Sequence, residues 1–216
     1  MTAQATYYII RALVALVAIP FHEAGHALAA WLLGDATAKR EGRLSLNPFA
    51  HFDLLGTLCM VFAGVGWAKP VSTNPRNFKN PKWGMALTAL AGPVTNLVLA
   101  YLGMVAWKVM YYWAPVNNAT MYIAMFLRYL VLMNVSLAVF NLIPVPPLDG
   151  YHVLNDLLLR RSPFASPKVA RIAYGVLMVL IFCTPVISKL ILWVEDLLMS
   201  GLGSAMYALF GAVGLL

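Results

Sequence analysis

Long apolar runs separated by short polar stretches dominate this chain, and their lengths predict membrane-crossing helices. Residues 8–33 form the first run, closed by Gly34, a good helix stop, with Asp35 opening a polar stretch. Residues 83–113 form a run long enough to span, interrupted at Gly92-Pro93, where the proline ring removes a backbone hydrogen bond and predicts a kink. After the almost uncharged turn Pro115 to Thr120, residues 121–143 return across the bilayer. Residues 172–194 read as another span and the glycine-punctuated residues 197–216 as a further one.

Between the first two spans the pattern changes. Arg43-Leu44-Ser45-Leu46-Asn47 alternates with period two and predicts a short strand or hairpin. Leu54 to Trp67 is apolar but short, and carries Gly56, Gly64 and Gly66, which suits a segment that enters the bilayer and returns. The expected fold is an all-α polytopic membrane protein of about four to six transmembrane helices. A short membrane-associated β-hairpin or re-entrant segment is expected near residues 36–67, and residues 1–216 are expected to make a single membrane-embedded domain.

Composition supports this reading. Hydrophobic residues are 62% of the 216 and charged residues 11%, a balance foreign to a water-soluble domain of this size. The net charge of +7 would suggest nucleic acid in a soluble chain. Here the basic residues flank apolar runs (Lys39, Arg40 and Arg43; Lys69, Arg76, Lys79 and Lys82; Arg160, Arg161, Lys168 and Arg171), so they read as cytoplasmic topology signals, and nucleic-acid binding is excluded. Cys59 and Cys183 lie alone in apolar segments without C-x-x-C spacing and read as packing residues. The stretch from Arg11 to Ala29 imitates a signal peptide, but its polar cluster and its continuation through Trp31-Leu32-Leu33 fit an embedded helix better.

That polar cluster, His22-Glu23-Ala24-Gly25-His26, carries the chemistry. On a helix, i and i+4 share a face, so His22 and His26 can grip one metal ion with Glu23 beside them, within reach of a water. An ionisable group at the centre of a spanning helix costs roughly 2.5–3.5 kcal/mol, so such a trio calls for a partner, and a divalent cation supplies one. At 1.5 Å per residue, the histidines lie roughly 10 to 16 Å from the C-terminal end of the helix, inside the hydrocarbon layer. A catalytic zinc site normally uses three protein ligands. Asp149 stands out as the third: it follows Pro144, Pro146 and Pro147, which forbid a regular helix, and irregular backbone at membrane depth must be buried in protein or line a cavity.

The chain resembles the site-2 proteases, intramembrane zinc metalloproteases. The resemblance rests on His22-Glu23-Ala24-Gly25-His26, on Gly92-Pro93-Val94-Thr95-Asn96, and on Asn141 through the prolines to Leu148-Asp149-Gly150, in that order. Gly42 to Pro48, His51-Phe52-Asp53 and Gly66-Trp67-Ala68-Lys69-Pro70 look like the compact prokaryotic branch, which carries no PDZ or CBS domain. The resemblance implies one zinc ion held by His22, His26 and Asp149, with Glu23 as general base. It implies that Asn96 and Asn141 line the active-site cavity, Asn141 assisting the oxyanion or the substrate backbone. It further implies peptide hydrolysis within or near transmembrane segments, with a transmembrane protein as substrate and the bilayer as partner. The implied location is the prokaryotic inner membrane with the active site toward the cytoplasm, and self-association stays open.

The alternating residues 42–47 could hold an unwound substrate by edge pairing. His51 has three readings: an extra ligand in a resting state, a proton relay, or a histidine holding its loop against Asp53. His152 reads as structural or as a residue behind the ligands. A membrane zinc transporter, or a zinc-binding regulator without hydrolytic activity, is the competing function. Glu23 disfavours it, because a general base is placed there that metal binding alone does not need.

Overall fold

The computed structural model describes residues 2–63, 67–157 and 166–212, and among them it is helical throughout, with no strand. The glycines at 64 and 66 and the arginines at 160 and 161 lie outside the described residues. The helices are α1 (Ala3–Leu32), α2 (Thr37–Arg40), α3 (Pro48–His51), α4 (Leu54–Ala63), α5 (Pro81–Trp113), α6 (Asn118–Asn141), α7 (Asp149–Leu157), α8 (Pro167–Cys183) and α9 (Val186–Ala212). A short 3₁₀ turn, Pro75–Asn77, precedes α5. Three described helices are long and apolar enough to cross a membrane: Gln4–Leu32, Pro81–Trp113 and Asn118–Asn141.

These three form the frame. Ile10 and Val14 of α1 pack against Leu130 of α6, while Ala100 and Met104 of α5 pack against Val131 and Val135. Helix α5 remains continuous through Pro93, since only one intrahelical bond is lost and its neighbours hold the axis. Asn80 caps its start and Pro81 occupies the first turn, where a missing N–H costs nothing. Asn117 and Thr120 cap α6 reciprocally.

The region between α1 and α5 corrects two expectations. Residues 42–47 form no strand, because local bonds take the groups a ladder would need. The Arg43 guanidinium, buried, donates to the Ala50 carbonyl. The Ser45 hydroxyl accepts from Asn47 N at 3.1 Å, and the Asn47 side chain caps α3 at Phe49 N. His51 donates through Nε2 to the Ser45 carbonyl at 2.7 Å, so it is tied to that turn and not to Asp53. Asp53 instead accepts from Gly56 N. Helix α4 has 10 residues, about 15 Å, half of a hydrocarbon core. Lys69 N donates to the His51 carbonyl at 2.8 Å, so the chain returns after α4 to the level from which it left.

The span expected over 172–194 is divided at Thr184-Pro185. Pro185 cannot extend the helix and pushes Thr184 into extended backbone (φ −135°, ψ 152°). The second half of that run joins the residues beyond it as α9. The cysteines are unpaired, and Cys183 is exposed.

One carboxylate fastens the end of α1 to the loop before α5. Asp35, fully buried, accepts from Thr37 N (3.0 Å), Thr37 Oγ1 (2.5 Å), Asn77 Nδ2 (2.7 Å) and Asn74 N (2.7 Å). Burial opposes ionisation, but the Thr37, Asn74 and Asn77 donors outweigh it and hold the carboxyl below its usual range. A group with a lowered folded pKa stabilises the fold above its unfolded value, here 3.8, and that stability is lost as pH falls through the lower folded value. Asp35→Ala should therefore destabilise the protein at neutral pH by about 1–3 kcal/mol, since buried donors lose their acceptor. In detergent melting curves the gap to wild type should narrow once the pH drops below the ordinary carboxylate range; a gap independent of pH would contradict the assignment.

Candidate metal centre

Helical spacing aims His22 and His26 the same way from α1, and α5 is packed directly against them. Gly92 makes that approach feasible: a Cβ there would overlap His26 Nε2 and stand 2.7 Å from His22 Cε1. His26 Nδ1 lies 2.7 Å from the Thr88 carbonyl and donates its proton to it. That bond leaves His26 Nε2 as a lone pair, 3.1 Å from His22 Nε2.

The third group comes from a distant part of the chain, the start of α7. Three prolines keep residues 142–148 from continuing α6, and α7 begins at Asp149. Gly150 lets this new start press on the end of α6, since a Cβ there would overlap the Leu142 carbonyl. Leu148 wedges against Leu177 of α8 and fixes the turn from behind. Asp149 Oδ2 then stands 3.3 Å from His22 Nε2 and 3.4 Å from His26 Nε2. This oxygen is buried and accepts no hydrogen bond.

Three potential metal-ligand atoms therefore converge, mutually separated by 3.1, 3.3 and 3.4 Å, in a largely buried site. A carboxylate and two imidazoles this close and this little exposed are costly to bury unless a positive charge lies among them, and a bound cation supplies it. Ligands at about 2.0–2.1 Å around a tetrahedral zinc lie roughly 3.3 Å apart, so the separations fit that ion, as does the nitrogen and carboxylate donor set. Among the described residues, this is the cluster of histidine and acidic groups spaced for a metal ion.

The cluster opens on a cavity of about 590 Å³. Glu23 and Asn141 line it, as do Trp67, Val71 and Thr73 from the irregular segment after α4. Asn141 Nδ2 donates to the Leu137 carbonyl at 2.9 Å, which fixes its amide at the cavity edge. Asn96 is placed differently from the expectation: it is fully buried, off the cavity wall, and neither amide atom has a partner. Its register on α5 turns it into the helix interface. His51 also lies off the wall, while His152 lies on it, with Nδ1 3.7 Å from Asp156 Oδ2. Sequence reasoning missed Thr88, because a backbone carbonyl has no residue signature. It also missed the wall formed by residues 67–73, whose lack of periodicity gave no signal.

Comparison with known proteins agrees with this geometry. The profile of peptidase family M50 matches residues 8–184. The chain is 36% identical over 181 residues to YwhC of Bacillus subtilis, provisionally named a zinc metalloprotease, covering 82% of this chain and 81% of that protein. Two proteins named Rip2, carrying the same provisional description, are similar. One, from Mycolicibacterium smegmatis, is 30% identical over 190 residues, and the other, from Mycobacterium tuberculosis, is 31% identical over 193 residues. Each alignment covers 84% of this chain and 71% of the relative. No solved structure matched.

Gly92→Ala should push both imidazoles out of register and weaken zinc binding by about tenfold or more, at roughly 1.4 kcal/mol per decade. Chelator competition on the purified variant measures this; zinc affinity equal to wild type would contradict the packing described.

Proposed function

Because this chain belongs to peptidase family M50, the site-2 protease family of intramembrane zinc metalloproteases, we propose that His22, His26 and Asp149 hold its zinc and that Glu23 is the general base. The observation that carries the assignment is the convergence of His22 Nε2, His26 Nε2 and Asp149 Oδ2 at 3.1–3.4 Å on a cavity that Glu23 also lines. Zinc, when bound, supplies a Lewis acid that polarises a peptide carbonyl and acidifies water. Glu23 takes a proton from the attacking water and delivers it to the leaving amine nitrogen. Thr88, through His26 Nδ1, keeps that ring's Nε2 deprotonated and oriented. Asn141, rather than Asn96, meets the substrate backbone, since it stands on the wall.

The substrate is a transmembrane segment unwound locally, because the carbonyls of an intact helix are already hydrogen-bonded. The segment 67–73, in neither helix nor strand, runs along the cavity wall and offers the surface for it, in place of residues 42–47. The whole chain acts as one membrane-embedded domain, and α8 and α9 complete a count of four or five spans. The basic residues Lys39, Arg40, Arg43, Lys69, Arg76, Lys79 and Lys82 gather between the end of α1 and the start of α5, which orients that end toward the cytoplasm of a prokaryotic inner membrane. All the site's groups come from one chain, so a second copy is not needed to complete it.

Purified wild type should cleave a single-span reporter in liposomes, while Glu23→Gln should retain zinc and lose activity by about 10²–10⁴-fold. Zinc flux without cleavage by either protein would favour transport instead.

A further inference from the structure

The two histidines do not have equal support. His26 places Nε2 in the cluster and anchors Nδ1 on the Thr88 carbonyl at 2.7 Å. His22 places Nε2 in the same cluster, but its Nδ1 is buried without a partner. Imidazoles that bind metals almost always donate the second N–H to an acceptor, which fixes the tautomer and the ring plane. His22 therefore has an unmet requirement.

The register of α1 on α5 identifies the acceptor. The helices run antiparallel: His26 meets Thr88, and Gly25 packs against Ala91 and Thr95. Gly92 touches both rings and faces His22 Cε1, the carbon between its two nitrogens. Thr88, Gly92 and Asn96 recur every four residues and share one face of α5. Thr88 serves His26 at one end of that stripe, so the residue one turn beyond Gly92, at the His22 end, is Asn96. Its side chain is fully buried, and both Oδ1 and Nδ2 lack partners. The neighbouring hydroxyl of Thr95 is already committed to the Ala91 carbonyl at 2.7 Å.

Resting on the zinc site proposed above, we infer that Asn96 is the positioning residue for His22: its Oδ1 accepts the His22 Nδ1 proton and presents Nε2 to the metal. The side chain matches Thr88 in function, one stripe position for each histidine. The Asn96 oxygen then has a donor, and two unpartnered buried groups are resolved together. This gives Asn96 a role through a ligand, without contact to substrate.

The test uses the full-length protein in detergent and reads metal binding, not cleavage. Asn96→Leu, similar in size but without an acceptor, should weaken zinc affinity 10- to 100-fold in chelator competition. Asn96→Asp restores an acceptor and should stay within threefold of wild type. In cobalt-substituted wild type, proton NMR should show two slowly exchanging, paramagnetically shifted imidazole N–H signals, one per histidine. Asn96→Leu should lose or speed the exchange of one while the other, on Thr88, persists. Zinc affinity of Asn96→Leu equal to wild type, or an Asp variant as weak as the Leu variant, overturns the inference. If Asn96→Leu fails to fold, the wild-type spectrum decides: a single slow N–H signal overturns it. Failure of wild type to bind zinc at all would instead overturn the zinc site, and this inference with it.

Discussion

Two imidazoles and a carboxylate brought together at the wall of a cavity between apolar helices are what the rest of this structure serves. His22 Nε2, His26 Nε2 and Asp149 Oδ2 face one another at 3.1–3.4 Å. Between apolar helices such an encounter is costly, and a cation held among the three groups offsets that cost. The fold's less regular features can be read as the means of bringing these atoms together. Gly92 lets α5 touch the rings, the prolines turn the chain after α6, and Gly150 admits the head of α7.

The supporting packing is distributed so that each donor is held from outside the cluster. Ile10 and Val14 lock the N-terminal half of α1 to α6, and Ala15 and Ile19 hold α4 through Met60. Arg11 adds a polar tie, donating to the Met60 carbonyl at 2.9 Å. Asp35 secures the opposite end of α1 to the loop that leads into α5. The site is thus fixed at both ends of its main helix, while the cavity side is bounded by the segment 67–73.

Much of the centre was legible in the sequence because helical periodicity is a geometric rule: spacing of four places His22 and His26 on one face whatever surrounds them. Asp149 could be read from its prolines, since broken backbone in an apolar protein needs a polar purpose. Asn96 could be singled out but not located, because the side of α5 it faces depends on the register with α1. The alternation at 42–47 misled because Ser, Asn and Arg side chains there bond to nearby backbone, an option that period-two patterning ignores. The break at Thr184-Pro185 was visible as a proline, yet hydrophobicity on both sides masked it.

The central claim is that His22, His26 and Asp149 bind one zinc ion. X-ray absorption at the zinc edge, on wild type and Asp149→Ala, tests it most directly. The account predicts one zinc per wild-type chain, with two imidazoles and light oxygen donors at about 2.0–2.1 Å and no sulfur. The Asp149→Ala protein should lose most of its metal or replace the carboxylate by solvent. A sulfur shell, or an identical zinc environment in both proteins, would contradict it.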